Sequence, residues 1–365
     1  MTLSLYIARR FLKTFLTVFA GFFVVLYLID MIEQIRAFAR NDVSLTELAE
    51  LALLNTPASV YRILPLVTIL ASVALFIALA RSSELVVIRA AGRSALAALM
   101  APIVAALLIG AVAVSALNPI VAATTKRYEA LSSRYRSGEA STVSVTREGL
   151  WLRQGGADGQ VVINAQRSNP DGTQLERVVF LSFDAAGAPE TRWDARSAIL
   201  KNGAWDLSQV KRWRFGPGTN PERDAETLAG ISLPSDLTPE RIRDSFAKPA
   251  SISVWDLPGF IQALERAGFS SRRHAVWLQM ELALPLLLAA MVMVGAGFTM
   301  RHARSGKTGT MVLLAIAAGF AIFFLRNFAQ VLGENGQIPV MIAAWTPPVA
   351  AVLLALSLLL HLEDG

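Results

Sequence analysis

The residues that catalysis or metal binding requires are scarce in this sequence. Cysteine is absent and the three histidines, His274, His302 and His361, are far apart, so neither a thiolate nucleophile nor a histidine metal site is predicted. Gly306-Lys307-Thr308 resembles the end of a phosphate-binding loop, but the first glycine of that motif is missing and an apolar segment follows. We therefore predict that the chain is not an enzyme and binds no cofactor or metal.

Three ionisable residues, Asp30, Glu281 and Arg326, lie near the ends of long apolar segments. Charges inside a membrane are typical of ion-driven transporters and proton relays. Near a helix end, however, a side chain can reach water and simply anchor the helix at the interface. The anchoring interpretation is favoured for each, with proton transfer as the alternative.

A short polar segment between two apolar ones, residues 81–93, is the strongest candidate for a functional contact. Its pattern predicts a short helix near 82–93, which fits either a plain connection or a coupling helix that docks into a partner ATPase. The candidate contact residues are Glu84, Leu85, Ile88, Arg89 and Gly92.

The elements that position these residues are membrane helices. Hydrophobic residues make up 54% of the chain and charged residues only 17%, against about 25% charged in soluble proteins. Six segments are long and apolar enough to span a bilayer. They lie at 11–32, 63–80, within 94–125, at 282–300, at 308–325 and within 338–360.

Basic residues in short loops set the orientation, because they favour the cytoplasmic side. Three basic clusters fall on one side of six spans: Arg9, Arg10 and Lys13; Arg81, Arg89 and Arg93; Arg301, Arg304 and Lys307. We therefore predict a multi-pass protein of the bacterial inner membrane, with the loop 33–61 and the middle of the chain in the periplasm.

The middle of the chain, 133–250, predicts a strand-rich domain between the third and fourth spans. Short β-prone runs alternate with turn signals, and Asn202-Gly203 is typical of a two-residue hairpin turn. This pattern favours a sandwich or jellyroll. Core packing is expected for Trp151, Trp193, Trp205 and Trp213, although an apolar groove for an acyl chain would use the same residue types.

This organisation divides the chain into three parts. Residues 1–132 form helices 1–3, with the candidate coupling helix near 82–93. Residues 133–250 form the β domain, and residues 251–365 form a connector helix and helices 4–6. The fold class is thus a mainly α membrane protein with an inserted β domain.

The coupling segment, Ser83-Glu-Leu-Val-Val-Ile-Arg-Ala-Ala-Gly92, resembles the corresponding loop of the LptF/LptG permease family, and is closer to its LptG branch. The basic start Tyr6-Ile-Ala-Arg-Arg-Phe-Leu-Lys13 and the strand motif Gly149-Leu-Trp151 are similar as well, and so is the order of helices and domain. The resemblance implies that Glu84 is the carboxylate of the coupling helix.

The resemblance also implies partners and a substrate. An LptF-like second permease and an LptB-like ATPase dimer, which uses ATP and Mg²⁺, would extract lipopolysaccharide from the inner membrane. The periplasmic β-jellyroll would pass it to LptC- and LptA-like proteins, with no role for nucleic acid. A membrane subunit of another ABC exporter or mechanotransmission complex is the alternative. A non-transport receptor fits less well, because the sequence offers no cytoplasmic signalling domain.

By the same resemblance, the first and fifth helices form the lateral gate for lipid. Arginine forks suit lipid A phosphates, and aromatic and aliphatic side chains below them suit acyl chains. Asp30 stands where family members can carry lysine, so Arg36 or Arg40 would substitute; the alternative is that the arginines only anchor helix ends. The candidate residues are Asp30, Glu33, Arg36, Arg40, Arg326, Phe22, Phe23, Leu26, Phe323 and Phe324.

Overall fold

The computed structural model describes most of the chain as two compact units. The membrane unit comprises Met1–Ser137, Ala250–Trp255 and Arg272–Gly365, and the sheet unit comprises Gly138–Pro249 and Asp256–Ser271. The described residues are 2–39, 43–84, 95–137, 143–146, 149–156, 159–169, 172–184, 187–201, 203–216, 220–235, 237–238, 248–266, 269–300 and 308–363.

The membrane unit is built from long helices. They are α1 (Thr2–Ala37), α2 (Leu45–Arg62), α3 (Leu64–Arg81), α4 (Ala95–Val112), α5 (Asn118–Ser137), α7 (Arg272–Thr299), α8 (Thr308–Glu334) and α9 (Val340–Glu363). A five-residue π-helical segment, Ala113–Leu117, joins α4 to α5.

Six helical segments in the described residues are long and apolar enough to cross a membrane, which confirms the six predicted spans. They are Leu3–Ala37, Leu64–Arg81, Ala97–Tyr135, Arg272–Thr299, Gly309–Glu334 and Val340–His361.

The predicted outer loop at 33–61 contains a helix that the sequence pattern did not reveal, α2. A capping box starts it: the Ser44 hydroxyl accepts the Glu47 amide, and the Glu47 carboxylate accepts the Ser44 amide in return. With 36 residues, α1 is about 54 Å long, well beyond the ~30 Å of the hydrocarbon layer. The chain at its outer end packs on α2 and α5 in a cluster that includes Phe38, Leu51 and Tyr135.

The core of the membrane unit surrounds α7, which packs on α3, α4, α8 and α9. Glycines allow two of these close approaches. A Cβ on Gly110 would lie 2.4 Å from the Pro285 Cα, and one on Gly295 would lie 2.8 Å from the Ser72 Oγ. Small residues at helix contacts replace the hydrophobic driving force that lipid does not provide.

The sheet unit confirms the predicted β domain between the third and fourth spans. Its seven described strands pair antiparallel in consecutive order, so each strand lies beside the one that follows it in the chain. The described strands therefore form a single meander rather than two packed sheets. They are β1 (Val143–Thr146), β2 (Gly149–Gly156), β3 (Gly159–Ser168), β4 (Gln174–Phe183), β5 (Pro189–Lys201), β6 (Ala204–Arg214) and β7 (Glu226–Pro234).

The predicted hairpin between β5 and β6 is confirmed. Lys201 pairs with Ala204 and Leu200 with Trp205, and Gly203 has a φ of +76°. Positive φ at this position suits glycine and matches the twist of the two strands. Asn202 lies outside the described residues.

One face of the sheet carries the apolar core, which includes Ile163, Phe180 and Trp205. The connector helix, α6 (Leu257–Arg266), contributes Leu264 to this core and so belongs to the sheet unit rather than to the last three spans. Packing in the core is thus confirmed for Trp205.

The other tryptophans differ in their surroundings. Trp193 packs partly buried against the core. Core packing is wrong for Trp151, which is 38% exposed. It is also wrong for Trp213, whose ring lies beneath Arg192 and Lys211 and whose Nε1 donates to Glu222. Cation–π contacts hold this ring in a charged environment.

Candidate functional site

The inner end of the membrane unit brings α1 and the start of the coupling segment together at Glu84. Arg10 Nη1 donates to the two carboxylate oxygens of Glu84 at 2.6 and 2.8 Å. The Tyr6 hydroxyl donates to the same carboxylate at 3.1 Å, and the Ser82 hydroxyl does so at 2.7 Å. The side chains of Arg10 and Glu84 are 29% and 32% exposed, so the ion pair is partly shielded from water.

These donors keep Glu84 ionised. The hydrogen bond from Arg10, followed by that from Ser82, lowers the pKa of the Glu84 carboxyl below its ordinary value. The Glu84 carboxylate is therefore an anion at neutral pH. The other predicted coupling residues, Leu85, Ile88, Arg89 and Gly92, lie outside the described residues.

Near the outer end of α1, Asp30 faces α2 rather than lipid or water. It is 6% exposed. Its carboxylate accepts hydrogen bonds from Asn55 at 3.2 Å, Thr56 at 3.4 Å and Ser59 at 3.4 Å. The prediction that Asp30 anchors a helix end at the interface is wrong, because these three donors on one face of α2 provide an internal partner for the charge.

Glu281 of α7 is also internal, with 1% of its surface exposed. The Tyr61 hydroxyl at the end of α2 donates a hydrogen bond to its carboxylate. Arg326 of α8 attracts the same carboxylate. Glu281 therefore does not anchor a helix end in the headgroups as predicted; it joins α7 to α2 and α8.

The depth of this cluster follows from helix geometry. Glu281 and Arg326 each lie 18 positions from the predicted inner end of their helix, Thr299 and Thr308 respectively. That is about 27 Å at 1.5 Å per residue, close to the ~30 Å thickness of the hydrocarbon layer. Both charges thus lie at a similar level, near the outer edge of that layer.

The π-helical segment and the start of α5 bind the chain that returns to the membrane. Trp255 Nε1 donates to the Ser115 carbonyl at 3.1 Å. The Val254 amide donates to Asn118 Oδ1 at 2.8 Å. Ser115 and Asn118 therefore fix the segment that leads back into the membrane.

The candidate lipid-binding residues lie on two helices that are separate within this chain. α1 packs on α2, α3 and α4, whereas α8 packs on α7, α9 and α3. Arg36 and Glu33 are exposed at the outer end of α1, and Arg40 lies outside the described residues. The described structure therefore does not bring Arg36 and Arg326 together.

The candidate acyl-binding residues lie in partly open positions on the same two helices. Phe22, Phe23 and Leu26 on α1 are half-buried, as is Phe323 on α8. Phe324 is 64% exposed and stacks on Phe320. Both helices also expose long apolar stripes, as expected where lipid or another subunit covers them. The stripes comprise Val24, Val25, Leu28, Ile29 and Ile32 on α1, and Phe320, Phe324, Leu325, Phe328 and Val331 on α8.

Within the described ranges, no group of three or more His, Asp or Glu side chains is arranged to hold a metal ion.

The sequence did not reveal Tyr61 as the partner of Glu281, since Tyr61 carries no charge. The signal that could have pointed to a partner is the carboxylate itself, because a carboxylate inside a membrane needs a hydrogen-bond donor or a positive charge nearby.

Comparison with known proteins agrees with this architecture. The sequence profile of the family described as "Lipopolysaccharide export system permease LptF/LptG" matches residues 5–361. The lipopolysaccharide export system permease protein LptG of Escherichia coli K12 is 23% identical over 340 residues, covering 92% of this chain and 91% of that protein. LptG of Haemophilus influenzae is 21% identical over 380 residues, covering 100% and 99% respectively. The chain therefore belongs to the LptF/LptG family of lipopolysaccharide export permeases and is a multi-pass protein of the bacterial inner membrane.

Proposed function

We propose that this chain is the permease subunit of an ATP-driven ABC transporter that extracts lipopolysaccharide from the inner membrane and passes it to a periplasmic bridge. The observation that carries the proposal is the ionised Glu84, held at the inner end of a six-span unit by residues of α1. The sequence contains no phosphate-binding loop of its own. An ionised carboxylate at the cytoplasmic end of the spans is therefore a suitable contact for a separate ATPase.

The partner ATPase is an LptB-like dimer that uses ATP and Mg²⁺. It docks on the coupling segment near 82–93, where Leu85 and Ile88 supply apolar contacts and Arg89 a charge. Gly92 ends the segment. A small apolar core with charged neighbours is the usual composition of a protein interface.

An LptF-like second permease completes the lipid cavity. Because α1 and α8 are separate in this chain, a cavity lined by a first and a fifth helix forms when α1 meets the fifth helix of the second permease. The exposed apolar stripes of α1 and α8 support this pairing, since stripes of that size are typical of subunit contacts.

Lipid A is bound at the outer end of α1. Arg36 and Arg40 donate to its phosphates, with Glu33 beside them, and the acyl chains lie on Phe22, Phe23 and Leu26. Phe323 and Phe324 line the corresponding surface of α8. We assign Arg326 and Asp30 to the packing of the membrane unit instead, because Glu281 offsets the charge of Arg326 and α2 binds Asp30.

The sheet unit receives the lipid and transfers it to LptC- and LptA-like proteins. The centre of its apolar face is buried, with Leu264 of α6 in the same core. Acyl chains would therefore bind at the partly buried apolar residues beside that core, such as Val161, Trp193 and Leu228.

Purification of the intact complex tests the proposal. The chain is tagged, extracted in mild detergent and analysed by native mass spectrometry and lipid analysis. We expect an ATPase, a second permease and bound lipopolysaccharide. An ATPase without lipopolysaccharide would favour a different ABC exporter, and a complex without any ATPase would favour a receptor.

A further inference from the structure

The carboxylate of Glu84 is held by three donor groups of its own chain. Oε1 accepts from Arg10 and Ser82, and Oε2 accepts from Arg10 and Tyr6. An ionised carboxylate has about four acceptor positions. An ATPase residue that binds this carboxylate therefore competes with these donors for them.

The donors on α1 are themselves fixed. Arg10 Nη1 also donates to the Tyr6 hydroxyl at 2.8 Å, and its guanidinium lies 5.9 Å from the centroid of the Tyr6 ring. The two residues are four apart, so they are neighbours on the helix surface. Beside them, Ile7 and Phe11 are fully buried in the core of the membrane unit. The position of Glu84 is thus determined by a well-packed part of α1.

From Arg10, α1 continues without proline to Arg36, a distance of about 39 Å along the helix. An uninterrupted helix transmits displacement and rotation along its length, because sharp kinks occur at proline, glycine–serine pairs or bulges. A movement imposed on Glu84 at the inner end is therefore passed on to the outer end, where lipid A is proposed to bind.

We propose that Arg10 is a positioning residue that fastens the coupling carboxylate Glu84 to α1, so that ATPase movements at the coupling segment drive α1 directly. This inference rests on the proposed function, in which the segment near 82–93 docks an ATPase. It assigns the energy transfer to an ion pair within this chain instead of an ion pair between Glu84 and the ATPase.

A charge swap tests the inference in the complete complex of this chain, its ATPase and the second permease. The complex is placed in proteoliposomes that contain lipopolysaccharide, with a periplasmic acceptor protein outside. The variants are Arg10→Glu, Glu84→Arg and the double variant. The measured quantity is the number of ATP molecules hydrolysed for each lipopolysaccharide transferred, together with the amount of ATPase that co-purifies.

Each single variant is expected to raise the ATP cost of transfer roughly tenfold, because it places like charges together in a partly buried pair. The double variant restores the pair in reverse and is expected to return to within about threefold of the natural chain. Arg10→Lys should also remain active, because Nη1 alone makes both contacts and an ammonium group can replace it.

Arg9→Glu is the matched control. It makes the same change in charge one position away, but Arg9 lies beside Leu12 and Lys13 on a different side of α1. We expect it to change the ATP cost less than about twofold. If a single variant fails to accumulate, recovery of the membrane level in the double variant is the readout.

Two results would overturn the inference: an Arg10→Glu variant that behaves like Arg9→Glu, or a double variant no better than the worse single one. Either would leave Glu84 acting without Arg10. A natural complex that holds no ATPase would instead reject the proposed function, so the two failures are distinguishable.

Discussion

At the scale of single residues, the membrane unit surrounds its buried carboxylates with donors. Glu281 accepts from Tyr61 and is attracted by Arg326, and Asp30 accepts from three residues of α2. A charge in a membrane that lacks partners costs several kcal/mol. These contacts are therefore requirements of the fold, and each can be tested by removing one partner.

Tyr61→Phe removes the donor to Glu281 and keeps the ring. We expect the free energy of unfolding to fall by about 1–3 kcal/mol, because a buried acceptor loses its partner. SDS titration of the protein in bicelles measures the change. Tyr27→Phe on α1 is the matched control and should change the stability by under ~0.5 kcal/mol; equal effects of the two substitutions would contradict the role of Tyr61.

Glu281→Ala removes the negative charge that attracts Arg326, and Arg326→Ala leaves Glu281 with the hydrogen bond from Tyr61. Each should lower the free energy of unfolding by at least about 1–3 kcal/mol, because a buried charged group loses an opposite charge that attracts it. The double variant should cost less than the sum of the two, since neither charge remains to be compensated. Strict additivity in the same SDS titration would show that the two residues do not interact.

At the scale of elements, α1 serves as the common partner of the coupling segment and of α2. It binds Glu84 near its inner end through Arg10 and binds α2 near its outer end through Asp30. α1 is one continuous helix, and Asp30 faces α2. We therefore expect a change at Asp30 to affect the packing of α2 while the surface proposed for lipid A remains on α1.

Asp30→Ala should lower the stability of the protein by about 1–3 kcal/mol through the unpaired donors of α2. Photo-crosslinking to lipopolysaccharide from position 36 should persist at the temperature where the variant stays folded. Glu33→Ala, three residues away and exposed, is the control and should leave the stability within ~0.5 kcal/mol. If folded Asp30→Ala protein no longer crosslinks to lipopolysaccharide from position 36, Asp30 would be part of the lipid site.

At the scale of the whole molecule, the chain is an inner-membrane permease of six spans with a sheet domain inserted after the third span. The three basic clusters define the cytoplasmic side, so the inserted domain and the loop between the fifth and sixth spans face the periplasm.

Because the chain has no cysteine, single cysteines report this topology without background. Cysteines in place of Glu190 and Gln337 should react with a membrane-impermeant maleimide added to spheroplasts, and one in place of Gly309 should not. These positions are exposed and their backbone does not require glycine. Reaction of the Gly309→Cys variant from outside, in intact spheroplasts, would invert the proposed orientation.

The sequence predicted the spans and the inserted domain because both depend on local composition: 20-residue apolar segments in one case and short alternating runs in the other. It did not predict α2, because Pro57 and several polar residues make this segment look unlike a helix. Packing against α1 and α5 stabilises it. Nor did it predict the polar contacts between distant residues. Arg10 and Glu84 are 74 positions apart, and Tyr61 and Glu281 are 220 apart. Only tertiary packing brings each pair together.

ATP-dependent transfer of lipopolysaccharide tests the central claim most directly. The purified complex is reconstituted in lipopolysaccharide-containing proteoliposomes, and lipid crosslinked to an acceptor protein outside is counted with and without ATP. We predict transfer that requires ATP and Mg²⁺ and that falls about tenfold in the Arg10→Glu variant. Hydrolysis of ATP by the natural complex with no transfer of lipopolysaccharide would contradict the account.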